Sequence, residues 1–244
     1  MNSKNFSSSN SRDDIRSEII AATIDVLVRE GIVGATFRRI AATAGVSAGA
    51  VQHHFPTRLQ LLYETLDDVF LHLGRTLVSF EFSSDIEARV QQVIDVLWDF
   101  YGGQNYLAAQ VILLGSRLNL TKDRVIQRRS YREMDRLFGE AWERIVGGSA
   151  IDAKAGYPLL RLLLSTMRGM AIIAVHRRLA DFADVQLSIL AGLIREALIS
   201  GKIPAAGNFE LKVDSAVACA GTGIAPFGKH GENPLGIADA LFPL

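Results

Sequence analysis

The chain has 244 residues, 49% of them apolar, with 26 basic and 26 acidic side chains. That is enough to bury a real core as one large domain or two small ones, and too apolar for a disordered protein. Zero net charge argues at first sight against a nucleic-acid binder, a point that only the local distribution of charge decides.

Residues 1–12 are dominated by Ser and Asn and are expected to form a flexible tail. From Asp13 helical periodicity takes over, and Ile15, Ile19, Ala22, Val26 and Val33 frame a first amphipathic helix that Gly31 should end. Thr36 precedes Phe37, Ile40, Ala41 and Ala44, which share one face of a short second helix closed by Gly45. Ser47 caps a third, containing Val51, and Pro56 stops it just beyond Phe55. Thr57 caps a longer fourth helix with the stripe Leu59, Leu62, Leu66, Val69 and Leu73.

Beyond Ser83 the pattern predicts five more helices. They run from Asp85 to about Tyr101, from Asn105 to Leu118, from Thr121 to Val146, from Pro158 to Leu179 and from Asp184 to Ile199, with glycines at most of the breaks. No alternating strand pattern and no repeat appears, so the body reads as all-α. The stretch 204–244 is rich in Gly and Pro and is expected to be loosely ordered, with a short strand around Phe209 to Val213 as a minor option.

Other classes are excluded by simple features. The most apolar stretch, Pro158 to Val175, is interrupted by Arg161 and Arg168, so no run of about 20 uncharged apolar residues is offered to a membrane. The N-terminus lacks the basic and apolar blocks of a signal peptide. The lone Cys219 excludes an internal disulfide and a cysteine-rich metal site, and fits a reducing compartment such as the cytoplasm. There is no nucleophile elbow, no phosphate-cradling glycine loop and no metal-spaced cluster, so no catalytic residue, cofactor or metal is expected.

The informative segment is Thr36 to Arg58, TFRRIAATAGVSAGAVQHHFPTR, which holds three arginines, no acid and the His53-His54 pair. Ala44-Gly45-Val46-Ser47 is too short for anything but a sharp turn between two helices, with Gly45 giving the backbone freedom and Val46 filling the angle. This is the helix-turn-helix pattern, over 36–55, whose second helix is presented to the DNA major groove. Ala48, Gly49 and Ala50 leave that helix bare, so it can approach a duplex closely. Gln52, His53 and His54 supply hydrogen-bonding reach. A packing role alone is the bland alternative for such a turn. His54 as a metal ligand is the poorer reading, because no acid or cysteine accompanies the pair.

From Arg16 to Leu66 the sequence resembles the tetracycline-repressor (TetR) family of bacterial transcription regulators. The match includes Ala21-Ala22, Glu30-Gly31, Ala35-Thr36, Ile40-Ala41, Ala44-Gly45-Val46-Ser47, Gly49, His54-Phe55, Thr57-Arg58 and Leu61-Leu62. Two residues depart from the family pattern: Gln52 stands where a backbone-contacting tyrosine is usual, and Arg58 where lysine is usual. The resemblance implies an N-terminal three-helix DNA-binding head (13–73) on a larger helical effector-binding and dimerisation body (74–203). It also implies a homodimer on double-stranded, palindromic operator DNA, acting as a repressor that a small effector releases. Thr36, Arg38, Ser47, Ala48, Gly49, Gln52, His53, His54 and Arg58 become the DNA-contact candidates, and Phe37, Ile40, Val46, Val51 and Phe55 the core of the head.

In the body the resemblance implies that the last two helices pair with those of a second subunit. Leu160, Leu164, Leu187, Leu190, Ile194 and Leu198 are the candidate dimer stripe, with ordinary core packing as the other use of the same residues. Trp98, Tyr101, Arg117 and Trp142 are candidates for an effector pocket taking a small apolar or amphipathic ligand. A DNA-binding architectural or division-control protein of the same fold, without an effector, is the alternative. Neutrality can now be reread: residues 1–82 hold eight basic and nine acidic groups, so positive charge is concentrated on the 36–58 element and dimerisation would double it.

Overall fold

Side-chain caps and glycines set most of the helix boundaries. A computed structural model of the chain describes residues 6–115, 124–174 and 180–203, and only the backbone of 6–13, 124–131 and 180–182. Among the described residues there are nine helices and no strand. They are α1 (Phe6–Gly34), α2 (Phe37–Ala44), α3 (Ala48–His54), α4 (Arg58–Ser79), α5 (Ile86–Gly102), α6 (Gln104–Gly115), α7 (Arg124–Val146), α8 (Tyr157–Ala174) and α9 (Ala180–Ser200). The expected strand near Phe209 and the Gly/Pro-rich stretch 204–244 lie outside the described residues.

Two features of α1 correct the sequence reading. The helix begins at Phe6 rather than Asp13, since Ser and Asn cost an established helix only about half a kcal/mol each. Gly31 does interrupt the regular helix, with φ 69°, and a short helical piece follows to Gly34. That break turns Val33 away from the apolar face, and it is 85% exposed.

The head is built from α1 to α4 around Ile19, Val26, Leu27, Ile40, Val51, Phe55, Leu61 and Leu66, all buried. Phe37 and Val46 are half-buried at its edge. α1 packs along α6, and α4 against α6 and α7, so the two longest helices of the head are also its attachment to the body. The α4–α7 crossing is close, because a Cβ on Gly74 would lie 3.0 Å from the Cβ of Leu137.

In the body α5 packs against α6, α8 and α9. Arg89, nearly buried on α5, donates to the carbonyls of Ser83 and Ser84 at 2.8 Å and to those of Ile145 and Gly147 at 3.0 and 2.5 Å. It thereby satisfies carbonyls at the end of α7 that have no partner within their own helix.

The α8 and α9 residues divide differently from the expected stripe. Leu160, Leu164, Leu190, Ile194 and Leu198 are buried in the core of the chain itself, and Leu187 is half-buried against it. The apolar side chains these helices leave exposed are Leu162, Ile172, Ile173, Val185, Ile189, Leu193 and Ile199. Among the described residues α8 alone is long and apolar enough to cross a membrane, but Leu159, Leu163 and Met167 pack into the core instead.

Candidate nucleic-acid interface

The geometry of α2 and α3 follows from three hydroxyls and one glycine. Thr36 Oγ1 accepts the Arg39 N–H at 3.3 Å, Ser47 Oγ accepts the Ala50 N–H at 3.0 Å and Thr57 Oγ1 accepts the Gln60 N–H at 3.1 Å. Each is an N-cap, so each hydroxyl hydrogen remains available as a donor. Gly45 has φ 67°, and the N–H groups of Gly45 and Val46 both return to the Ala41 carbonyl, which closes α2 and aims α3.

The outer surface of this unit is bare and polar. Thr36, Arg38, Ser47, Ala48, Gly49, Gln52, His53 and Arg58 are exposed, and His54 is half-buried beside Val51 and Phe55. The rings of His53 and His54 meet edge to face at 5.6 Å. A Cβ on Gly49 would meet nothing closer than Ser47 Oγ at 3.8 Å, so the absence of a side chain there is not required by packing within the chain.

The three arginines of the segment have different commitments. Arg39 is paired with Glu30 of α1 at 2.5 Å. Arg58 donates Nε to the Ala35 carbonyl at 2.8 Å and Nη2 to the Ile32 carbonyl, which ties the start of α4 to the α1–α2 connection. Arg38 makes no ion pair or side-chain hydrogen bond among the described residues, and it is the arginine most open to an incoming phosphate. The sequence reading treated Arg38 and Arg58 alike; the fold gives Arg58 a bracing role as well.

Arg16 was missed as a contributor. It is ion-paired with Glu64 of α4, lies 4.5 Å from the Phe55 ring centre and donates to the His54 carbonyl at 3.4 Å. The only sequence signal was a lone arginine one turn before the buried Ile19 and Ile20.

Among the described residues the pocket candidates do not line one common cleft. Trp98 is half-buried on α5, Tyr101 is buried and Arg117 lies outside the described residues. Trp142 is buried, donates Nε1–H to the Ala153 carbonyl at 2.8 Å and lines a narrow apolar cleft with Leu77, Val93, Leu97 and Phe138. Leu160 and Leu164 line the same cleft, and Tyr101 does not. Among the described residues no group of three His, Cys, Asp or Glu side chains is placed to hold a metal.

Comparison with known proteins agrees with this geometry. Residues 19–65 match the family model of bacterial regulatory proteins, tetR family. The chain is 26% identical over 173 residues to the HTH-type transcriptional regulator CymR of Pseudomonas putida, spanning 68% of this chain and 81% of that protein. It is 37% identical over 59 residues to the HTH-type transcriptional regulator BetI of Vibrio vulnificus, spanning 24% of this chain and 30% of that one. The fold matches a transcriptional regulator of Rhodococcus sp. Rha1 with a TM-score of 0.58 at 20% identity, covering 77% of this chain and 97% of that one. It also matches NalD, the secondary repressor of the MexAB-OprM multidrug efflux pump in Pseudomonas aeruginosa, with a TM-score of 0.52 at 17% identity, covering 77% and 98%. Both sequence relatives are HTH-type transcriptional regulators. With Gly45 at the turn, Ser47 at the cap and an acid-free outer face, the head resembles, over residues 19–65, bacterial regulatory proteins of the tetR family.

Proposed function

We propose that this regulator acts as a homodimeric repressor that binds a palindromic operator in the cytoplasm and is released by a small-molecule effector. The observation that carries the reading is the α2–turn–α3 unit. It presents a bare, polar face on which Arg38 is uncommitted and Gln52 and His53 are exposed. Arg38 and the hydroxyls of Thr36 and Ser47 would take phosphates, while Gln52, His53 and His54 would reach base edges over the small residues Ala48 and Gly49. Arg58 would brace α4 through the carbonyls it already holds and offer its remaining N–H groups to the backbone.

Dimerisation would use the exposed apolar side chains of α8 and α9, chiefly Leu162, Val185, Ile189 and Leu193, rather than the buried stripe. An effector acts only if it binds the form with the wrong head spacing better than the operator-bound form, and the shift is limited by that difference. The second reading, a DNA-binding architectural or division-control protein without an effector, is favoured by the narrowness of the apolar cleft beside Trp142. Footprinting of the purified protein on DNA flanking its own gene tests the regulator reading. A discrete protected site with two-fold related half-sites is expected, whereas broad protection independent of sequence would favour the second reading.

A further inference from the structure

The acid-free segment 36–58 receives a carboxylate from outside it. Glu30 of α1 accepts the Arg39 Nε–H on Oε1 at 2.5 Å. The pair is open to solvent, with the Arg39 side chain 59% exposed and that of Glu30 31% exposed. Such a pair adds little to folding stability, yet α1 is shaped to make room for it. A Cβ on Gly34 would collide with Glu30 Cβ and lie 3.1 Å from Glu30 Oε2. Gly34 does not have a positive φ, so its backbone conformation does not call for glycine. The close approach of the Glu30 side chain does.

The bond to Glu30 uses Nε, and the two Nη groups of Arg39 make no bond among the described residues. Arg136 of α7 is the contrast. It gives Nε and Nη2 to Glu133 and Nη1 to Glu140, so its guanidinium is fully engaged along its own helix. Arg39 is instead held at one nitrogen, with the rest of the fork left to an outside acceptor. It stands in the first turn of α2, where its N–H is taken by the Thr36 cap and its neighbour is the exposed Arg38. In a helix-turn-helix the first helix crosses the sugar-phosphate backbone while the second lies in the groove. A guanidinium fork matches phosphate oxygens, and one already held in place loses less side-chain freedom on binding them.

We infer that Arg39 is a further DNA-phosphate contact and that Glu30 is its positioning residue, holding Nε so that the Nη donors are presented to the backbone. The inference rests on the DNA-reading face proposed above. Glu30 has two opposed effects on DNA. Its oxygen holds the arginine, and its negative charge repels the phosphates. Gln and Met at position 30 separate them, because both remove the charge and Gln alone keeps an oxygen for Nε.

The test uses the full-length protein on its flanking-DNA site over a series of salt concentrations. Arg39→Gln should weaken binding by about tenfold and lower the slope of log affinity against log salt by about one. Arg39→Lys should keep the slope, because it keeps the charge. Glu30→Gln should bind tighter than the unaltered protein, and Glu30→Met should bind at least about threefold more weakly than Glu30→Gln. That difference should vanish when Arg39→Gln is also present. Arg195→Gln removes an arginine of similar exposure from a pair on α9 and should leave the slope unchanged. Thermal midpoints of all variants show that each is folded, and should Arg39→Gln fail to fold, the comparison of Gln with Met at position 30 decides. Unchanged affinity and slope in Arg39→Gln, or equal binding by Glu30→Gln and Glu30→Met, would overturn the inference. Arg38→Ala in the same series separates this failure from a wider one. If the unaltered protein prefers its site and Arg38→Ala lowers the slope while Arg39→Gln does not, only the role of Arg39 falls. If the unaltered protein shows no preference over scrambled DNA, the DNA-reading face falls with it.

Discussion

Arg16 of α1 holds its guanidinium 4.5 Å from the centre of the Phe55 ring, the residue that ends α3. With its ion pair to Glu64 and its bond to the His54 carbonyl, one side chain ties α1, α3 and α4 together. Arg16→Met keeps the apolar stem and removes the charge. It should lower stability by about 1 kcal/mol in chemical denaturation. Operator affinity should fall several-fold with an unchanged salt slope, because Arg16 positions the helix and touches no phosphate. A slope reduced by a full unit would instead make Arg16 a phosphate contact.

Gly49 separates packing from DNA approach. A Cβ there meets open space, so Gly49→Ala should stabilise the short α3 by about 0.5–1 kcal/mol. If the bare face lies against DNA, the same change should weaken operator binding. Gly45→Ala is the contrasting case: its φ of 67° makes any side chain cost about 1–2 kcal/mol although nothing lies within 4 Å. Thermal unfolding and mobility-shift titration read the two effects, and a Gly49→Ala protein with unchanged operator affinity would remove the close approach.

The exposed apolar side chains of α8 and α9 give a test of assembly. Ile189 and Leu193 are 56% and 44% exposed, whereas Leu190 between them is 4% exposed. Ile189→Asp and Leu193→Asp should yield folded monomers by light scattering with normal helical circular dichroism. Leu190→Asp should unfold the chain, since it buries a charge. Persistent dimers in both exposed-site variants would move the interface elsewhere.

Burial raises the phenol of Tyr101 above its ordinary value of 10.0, and that of Tyr106 likewise. The folded state therefore keeps protons that the unfolded state releases, so the stability contributed is complete below about pH 10 and is lost as pH rises beyond it. An absorbance titration of phenolate should show a late-ionising group that disappears in Tyr101→Phe. An unchanged late phase in the variant would assign it to another tyrosine.

The parts of the fold written in local chemistry were legible before any coordinates. Thr36, Gly45, Ser47 and Thr57 mark helix ends through bonds spanning a few residues, and the structure places α2, α3 and α4 between them. Arg16 and Arg89 were not legible, because they bond to carbonyls 38 and 56 residues away. The α8 and α9 stripe was legible only in part, because both helices are apolar on more than one face and spacing alone does not say which face turns inward; Leu190 and Ile194 stood as dimer surface or core, and the fold buries them while it leaves Ile189 and Leu193 exposed.

The most direct measurement is the affinity of the full-length protein for its flanking-DNA site and for the same bases in scrambled order, over a series of salt concentrations. The native site should bind at least about a thousandfold tighter, and Arg38→Ala should lower the slope of log affinity against log salt by about one. Equal affinity for the two duplexes, or an Arg38→Ala protein with unchanged affinity and slope, would contradict a DNA-reading face at residues 36–58.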